Sequence, residues 1–86
     1  ISRGRKRKIF LALRAESRDI ITDLLLFVSN ASEFPSNSMF LLSQQTLRLP
    51  MTAKNLRDAV FDLIFSGEAI LDIFNLIFTS LLKRNS

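Results

Sequence analysis

The first eight residues concentrate positive charge, since they hold five of the twelve lysines and arginines in the chain. Basic side chains neutralise phosphate groups on DNA or RNA, and such binding weakens steeply as salt is added. Like charges this close also repel one another. We therefore predict that residues 1–8 form a basic arm, frayed in isolation and ordered by an anion.

Two further arginines, at positions 14 and 18, follow within the next predicted helix and could extend contacts along a phosphate backbone without reading the bases. The candidate nucleic-acid contacts are Arg3, Arg5, Lys6, Arg7, Lys8, Arg14 and Arg18. In a eukaryotic cell the same cluster would suit nuclear import. We expect an intracellular protein, nuclear if eukaryotic and otherwise cytoplasmic. The alternative is a solvated tail without a ligand.

Catalysis and metal binding have no residues to support them. The chain lacks both Cys and His, which supply most zinc ligands and general bases. Its acidic residues follow the solvent side of predicted helices, whereas proton transfer by a carboxyl group needs burial or partner groups. The two glycines, Gly4 and Gly67, are too few for a phosphate-binding loop. We predict no enzyme activity, no cofactor and no metal site.

The most apolar stretch, residues 59–82, must position the rest of the chain. Ser66 and Gly67 interrupt it, and this pair predicts a boundary between two helices. After that boundary, polar residues recur at helical spacing and leave a wide apolar face: Glu68, Asp72, Asn75, Thr79 and Lys83. Such a helix is covered on most sides by other helices or by a second chain. Its acids argue against a membrane span.

Residues 5–29 show apolar spacings of three and four throughout, which predict one long helix. At 1.5 Å per residue it would reach about 38 Å, so its basic end should project beyond the other helices. Pro35 and neighbouring Ser and Asn residues predict a loop over residues 30–37. A weaker helix follows at 38–49.

We predict an all-α, four-helix bundle-like domain, residues 9–86, with helices at about 5–29, 38–49, 53–65 and 67–84. A chain of 86 residues has a marginal core, yet 48% of this one is hydrophobic, including eight Phe. Dimerisation would hide the surplus apolar surface and complete the core. The candidate partner or oligomer surface is Phe10, Leu13, Phe61, Phe65, Phe74 and Phe78.

The favoured function is a non-enzymatic oligomerising module whose basic arm and first helix engage nucleic-acid phosphates. One alternative is a protein-protein adaptor whose helices form a groove for a partner helix. Another is a peripheral membrane protein held on an anionic membrane surface by its basic amphipathic first helix. A helix-turn-helix over residues 41–60 would offer Lys54, Asn55 and Arg57 to base edges, although Phe61 and Phe65 burden its second helix.

Overall fold

The computed structural model describes residues 3–84, and within them all regular structure is helical, which confirms the all-α prediction. The α-helices of this part of the chain are α1 (Arg3–Arg14), α2 (Arg18–Ala31), α3 (Pro35–Leu47), α4 (Lys54–Ile64) and α5 (Ile70–Arg84). A single 3₁₀ turn, Met51–Ala53, leads into α4. Proline is favoured in the first turn of a helix, which explains why α3 begins at Pro35 rather than at residue 38.

The prediction of one long first helix is wrong, because α1 ends at Arg14 and α2 begins at Arg18. Ser17 between them is extended, with φ −67° and ψ 159°, and its carbonyl accepts the amide of Ile21. The longest dimension of the fold is 30 Å, so a straight helix of about 38 Å would leave the core. The break between α1 and α2 lets both helices bury their apolar faces in the same core.

The first half of α1 is the segment that we expected to project as a frayed arm. Residues 3–8 are instead helical, and α1 lies against α4 and α5; residues 1 and 2 of the predicted arm lie outside the described residues. The buried side chains of Ile9 and Leu13 attach the helix to the core. Its first turn carries cations and no acid, an unfavourable arrangement at the positive end of a helix dipole. Packing therefore stabilises this segment.

The core receives apolar side chains from every helix of the described region. α1 packs on α4 and α5, while α2 and α3 cover other sides of α5. The most completely buried large side chains are Ile9, Leu13, Leu42, Leu56, Leu63, Ile73 and Ile77. α5, which follows the Ser66–Gly67 boundary, thus meets α1, α2, α3 and α4.

Arg84 connects the end of α5 to the turn between α1 and α2. Its guanidinium Nη2 donates a hydrogen bond of 2.9 Å to the carbonyl oxygen of Glu16, in the turn between α1 and α2. The C-terminal ends of α1 and α5 therefore lie close together. α1 and α5 lie side by side, and a groove runs between them.

Candidate functional site

A surface groove of about 770 Å³ lies between α1 and α5 where the two helices pack together. The α1 side is formed by Arg3, Lys6, Arg7 and Phe10. The α5 side is formed by Asp72, Asn75, Leu76, Thr79, Ser80 and Lys83. One wall is thus basic and the other is mainly neutral and polar. We call this feature the basic groove.

The helical repeat explains why these cations share one wall. Arg3, Lys6, Arg7 and Phe10 follow the spacing i, i+3, i+4, i+7, which places them on one side of a helix. Ile9 marks the neighbouring side, which is buried in the core. Because burial of this apolar side fixes the rotation of α1, it also turns the three basic residues toward α5.

Positive charge prevails in the groove. Arg3, Lys6 and Arg7 are exposed, and within residues 3–84 no ion pair joins any of the three to an acid. Among the described residues of the lining, Asp72 is the one carboxylate, against four cations when Lys83 is included. The groove can therefore accept an anion without first breaking an ion pair of these three side chains.

The other predicted cations lie outside this lining. The ammonium of Lys8 is 3.6 Å from a carboxylate oxygen of Asp62, so it links α1 to α4. Arg5 is half-buried and, four residues before Ile9, lies on the core side of α1.

The remaining two arginines are exposed at helix ends. Arg14 is the last residue of α1, about three turns beyond Arg3 and thus on the same side of the helix. Arg18 is the first residue of α2. Of the seven predicted contacts, the structure brings Arg3, Lys6 and Arg7 together.

The α5 wall was missed in the sequence. The helical spacing places Asn75, Thr79 and Lys83 on the polar stripe of the last helix. All three line the groove. The available signal was their shared helical spacing, which matches the length of the basic stripe on α1. Nothing in the local sequence specifies that the two stripes face each other.

The predicted partner surface needs correction at two positions. Leu13 and Phe74 are buried by other helices of the same chain, with 0% and 3% of their surface exposed. Phe74 packs edge-on against Phe27, with ring centroids 6.3 Å apart. The prediction is wrong for these two residues because the fold of a single chain already covers them.

The other predicted surface aromatics retain access to solvent. Phe10 is half-buried in the groove wall, and Phe78 is partly exposed on α5. Phe61 stacks on Phe65 with centroids 5.8 Å apart, and Phe65 itself is 80% exposed. These four lie on α1, on α4 and its C-terminal end, and on α5, so they do not form one continuous patch along a single helix.

The helix-turn-helix alternative loses one of its base-reading residues. Arg57 is half-buried, and its Nη2 donates a hydrogen bond to the carbonyl oxygen of Leu49 in the turn after α3. Arg57 therefore holds the connection between α3 and α4. Lys54 and Asn55 remain exposed at the start of α4.

The described residues, 3–84, contain neither a cluster of metal ligands nor a helix able to cross a bilayer. Among them, no three acidic side chains come close enough to hold a metal ion. None of the helices in this region combines the length and hydropathy needed to cross a bilayer.

Comparison with known proteins adds no relative to this description. No protein-family model matches the chain, no curated protein matches it, and no solved structure matches it. Its function must therefore be inferred from the basic groove and from the surfaces that the fold leaves uncovered.

Proposed function

We propose that this protein is a non-enzymatic, self-associating helical module that binds the phosphate backbone of nucleic acids through the basic groove. The observation that carries this proposal is the alignment of Arg3, Lys6 and Arg7 along one exposed wall, with no ion pair to an acid of residues 3–84. Three basic side chains fixed on one packed helix are preorganised for an anionic chain.

The chemistry of the opposite wall fits a backbone better than an isolated ion. The Asn75 amide and the Thr79 hydroxyl can donate hydrogen bonds to phosphate or sugar oxygens. Arginine, moreover, presents a planar fork that matches two phosphate oxygens at once. Contacts to phosphate and sugar carry no sequence information, so we propose binding without sequence preference.

The electrostatics of α1 favour an anionic ligand. The positive end of the helix dipole coincides with Arg3 and Lys6, and no acid lies in the first turn. An anion bound there would reduce both the repulsion between side chains and the unfavourable dipole interaction. Ligand binding and helix stability should therefore be coupled.

Self-association is part of the proposal because large apolar side chains remain uncovered. Leu71, Phe78 and Leu82, along one side of α5, are 53%, 38% and 58% exposed. Monomeric proteins seldom leave such groups in extended patches without a partner. We interpret the five α-helices of residues 3–84 as a small bundle that a second copy completes, and we propose an intracellular location.

The test compares two double variants with equal loss of charge. Arg3→Gln/Arg7→Gln alters the groove, whereas Arg48→Gln/Lys54→Gln alters exposed cations outside it. Fluorescence anisotropy with a generic duplex and a generic single-stranded RNA, at several salt concentrations between 50 and 200 mM, gives affinity and salt dependence. We expect the groove variant to bind at least about tenfold more weakly and its slope of log K against log salt to fall by about 2.

The outcomes separate the groove from the net charge. Equal weakening by both variants would mean that total charge, not the groove, attracts the polyanion. Absence of binding by the unaltered protein at 50 mM salt would overturn the proposal. If the protein is instead an adaptor, neither double variant should change its affinity for the protein partner.

A membrane surface is the second candidate because Leu11 is 50% exposed and lies beside Arg7 and Arg14 on α1. Anionic vesicles would attract the same cations, but shallow insertion would also need this leucine. Flotation with vesicles that is lost in Leu11→Ser, together with unchanged affinity for RNA, would identify a membrane site. Leu11→Ser should leave nucleic-acid binding intact if the groove is the site.

A further inference from the structure

α5 carries an apolar stripe that the described part of the chain leaves partly open to solvent. Leu71, Phe78 and Leu82 are 53%, 38% and 58% exposed. With Asn75 they follow spacings of four, three and four, so they lie along one side of the helix. This spacing is typical of a seam between two packed helices. We call these three residues the α5 stripe.

We propose that a second copy of this chain docks on the α5 stripe, with the two α5 helices antiparallel about a two-fold axis. The charges of α5 favour this occupant and this direction. Asp72 lies in its first turn, while Lys83 and Arg84 lie in its last turn. Antiparallel pairing brings the acidic start of each helix to the basic end of the other, and it also opposes the two helix dipoles.

The apolar residues match in the same arrangement. Leu71 and Leu82 are separated by eleven residues, about three helical turns, and so face the same way. When the helices run in opposite directions, Leu71 faces the partner's Leu82, and Phe78 lies near the two-fold axis. A parallel pair would instead place acidic ends together and basic ends together.

Phe40 and Leu47 form a second exposed apolar pair, on α3. This helix offers no charge that would favour a particular partner. Both are well exposed, at 65% and 64%. However, α3 contains no charged residue, so nothing on that helix would fix the direction or register of an approaching helix. The α5 stripe is therefore the better site for a second copy.

The symmetry has a consequence for nucleic-acid binding, and this step rests on the proposed function. The basic groove borders one flank of the α5 stripe, because Asn75 and Thr79 line it. A two-fold axis perpendicular to both α5 helices keeps that flank on the same side in both copies. The two grooves then open toward one side, and a sufficiently long duplex could bind both at once with increased avidity.

The interface is tested without nucleic acid, so that failure of the dimer and failure of phosphate binding are separate results. Analytical ultracentrifugation compares the unaltered protein with Leu71→Ser/Leu82→Ser and with the control Leu26→Ser/Leu47→Ser. The control leucines are similarly exposed, at 58% and 64%, but lie on α2 and α3. Circular dichroism checks that each variant keeps its helices.

We expect the unaltered protein to be dimeric and the α5 variant to dissociate about 100-fold more readily, because each substitution acts twice in a symmetric interface. The control should remain dimeric. A monomeric unaltered protein, or equal effects of the two variants, would overturn the proposal. Monomers that float with anionic vesicles only while the stripe is intact would show that lipid, not a second copy, covers it.

The direction of pairing is tested by disulfide formation, which is convenient because the chain contains no cysteine. Leu71→Cys and Leu82→Cys proteins are oxidised separately and as a mixture. Antiparallel pairing predicts a disulfide mainly between the two different variants. Efficient cross-linking of each variant with itself would indicate a parallel pair and overturn the proposed symmetry.

Discussion

Ser38 shows how a single polar group can fix the junction between two helices. Its side chain is completely buried, and its hydroxyl oxygen lies 2.6 Å from the carbonyl oxygens of both Ala31 and Phe34. Ala31 ends α2, and Phe34 directly precedes α3. The hydroxyl donates to one of these acceptors at a time, and so it joins the end of one helix to the start of the next.

Replacing this hydroxyl should destabilise the protein. We expect Ser38→Ala to lower the free energy of unfolding by about 1 kcal/mol, since both carbonyl groups keep a second, backbone donor while the buried side-chain bond is lost. Urea denaturation measures the change. Ser36→Ala, at an exposed position in the same helix, is the control and should have a much smaller effect. Equal effects would show that the Ser38 bond contributes nothing.

At the scale of the elements, the two glycines have opposite roles. Gly67 lies between α4 and α5 with φ +83°, a left-handed conformation that other residues adopt only with strain. Gly4 lies inside α1, where an added methyl group would meet no atom within 4 Å. Glycine is therefore needed in the turn and is a weakness in the helix.

These positions predict stability changes of opposite sign. Gly67→Ala should lower the free energy of unfolding by about 1 kcal/mol, because alanine must adopt a strained φ. Gly4→Ala should raise it by about 0.5–1 kcal/mol, because alanine favours the helix and restricts the unfolded chain. Thermal and urea denaturation of the two variants gives the comparison. A shared sign would contradict the conformations assigned to these residues.

At the scale of the whole molecule, salt should act on folding and on binding in opposite directions. The chain carries a net charge of +4, and part of this excess lies in the basic groove beside the positive end of the α1 dipole. Added salt screens that repulsion and so favours the folded chain. The same salt weakens attraction between the groove and a polyanion.

The melting temperature of the unaltered protein should rise by about 2–4 °C between 50 and 500 mM NaCl. Arg3→Gln/Arg7→Gln should show a smaller rise, because two of the repelling charges are absent. Differential scanning calorimetry of both proteins makes the comparison, with Arg48→Gln/Lys54→Gln as the control for net charge. A fall for the unaltered protein, or the same rise for all three, would show that the groove charges do not oppose folding.

The helical class was predictable because it depends on local spacing. Apolar residues three and four apart define helical faces along residues 59–82, and Ser66 with Gly67 marks a turn whatever the rest of the chain does. The break after Arg14 was not predictable in this way, since the apolar spacing continues across it. It depends on long-range packing, because α1 and α2 as separate helices both fit within a fold whose longest dimension is 30 Å.

The candidate site, too, was predictable from the sequence only in part. Composition identified the cations, because charge is a property of each residue. The side on which each cation lies depends on how Ile9 and Leu13 anchor α1, and packing alone assigns Arg3, Lys6 and Arg7 to the groove while Lys8 pairs with Asp62. The local sequence therefore determined which segments are helical and where the cations lie along the chain. Long-range packing determined how each helix is rotated about its axis, and so which cations meet in the groove.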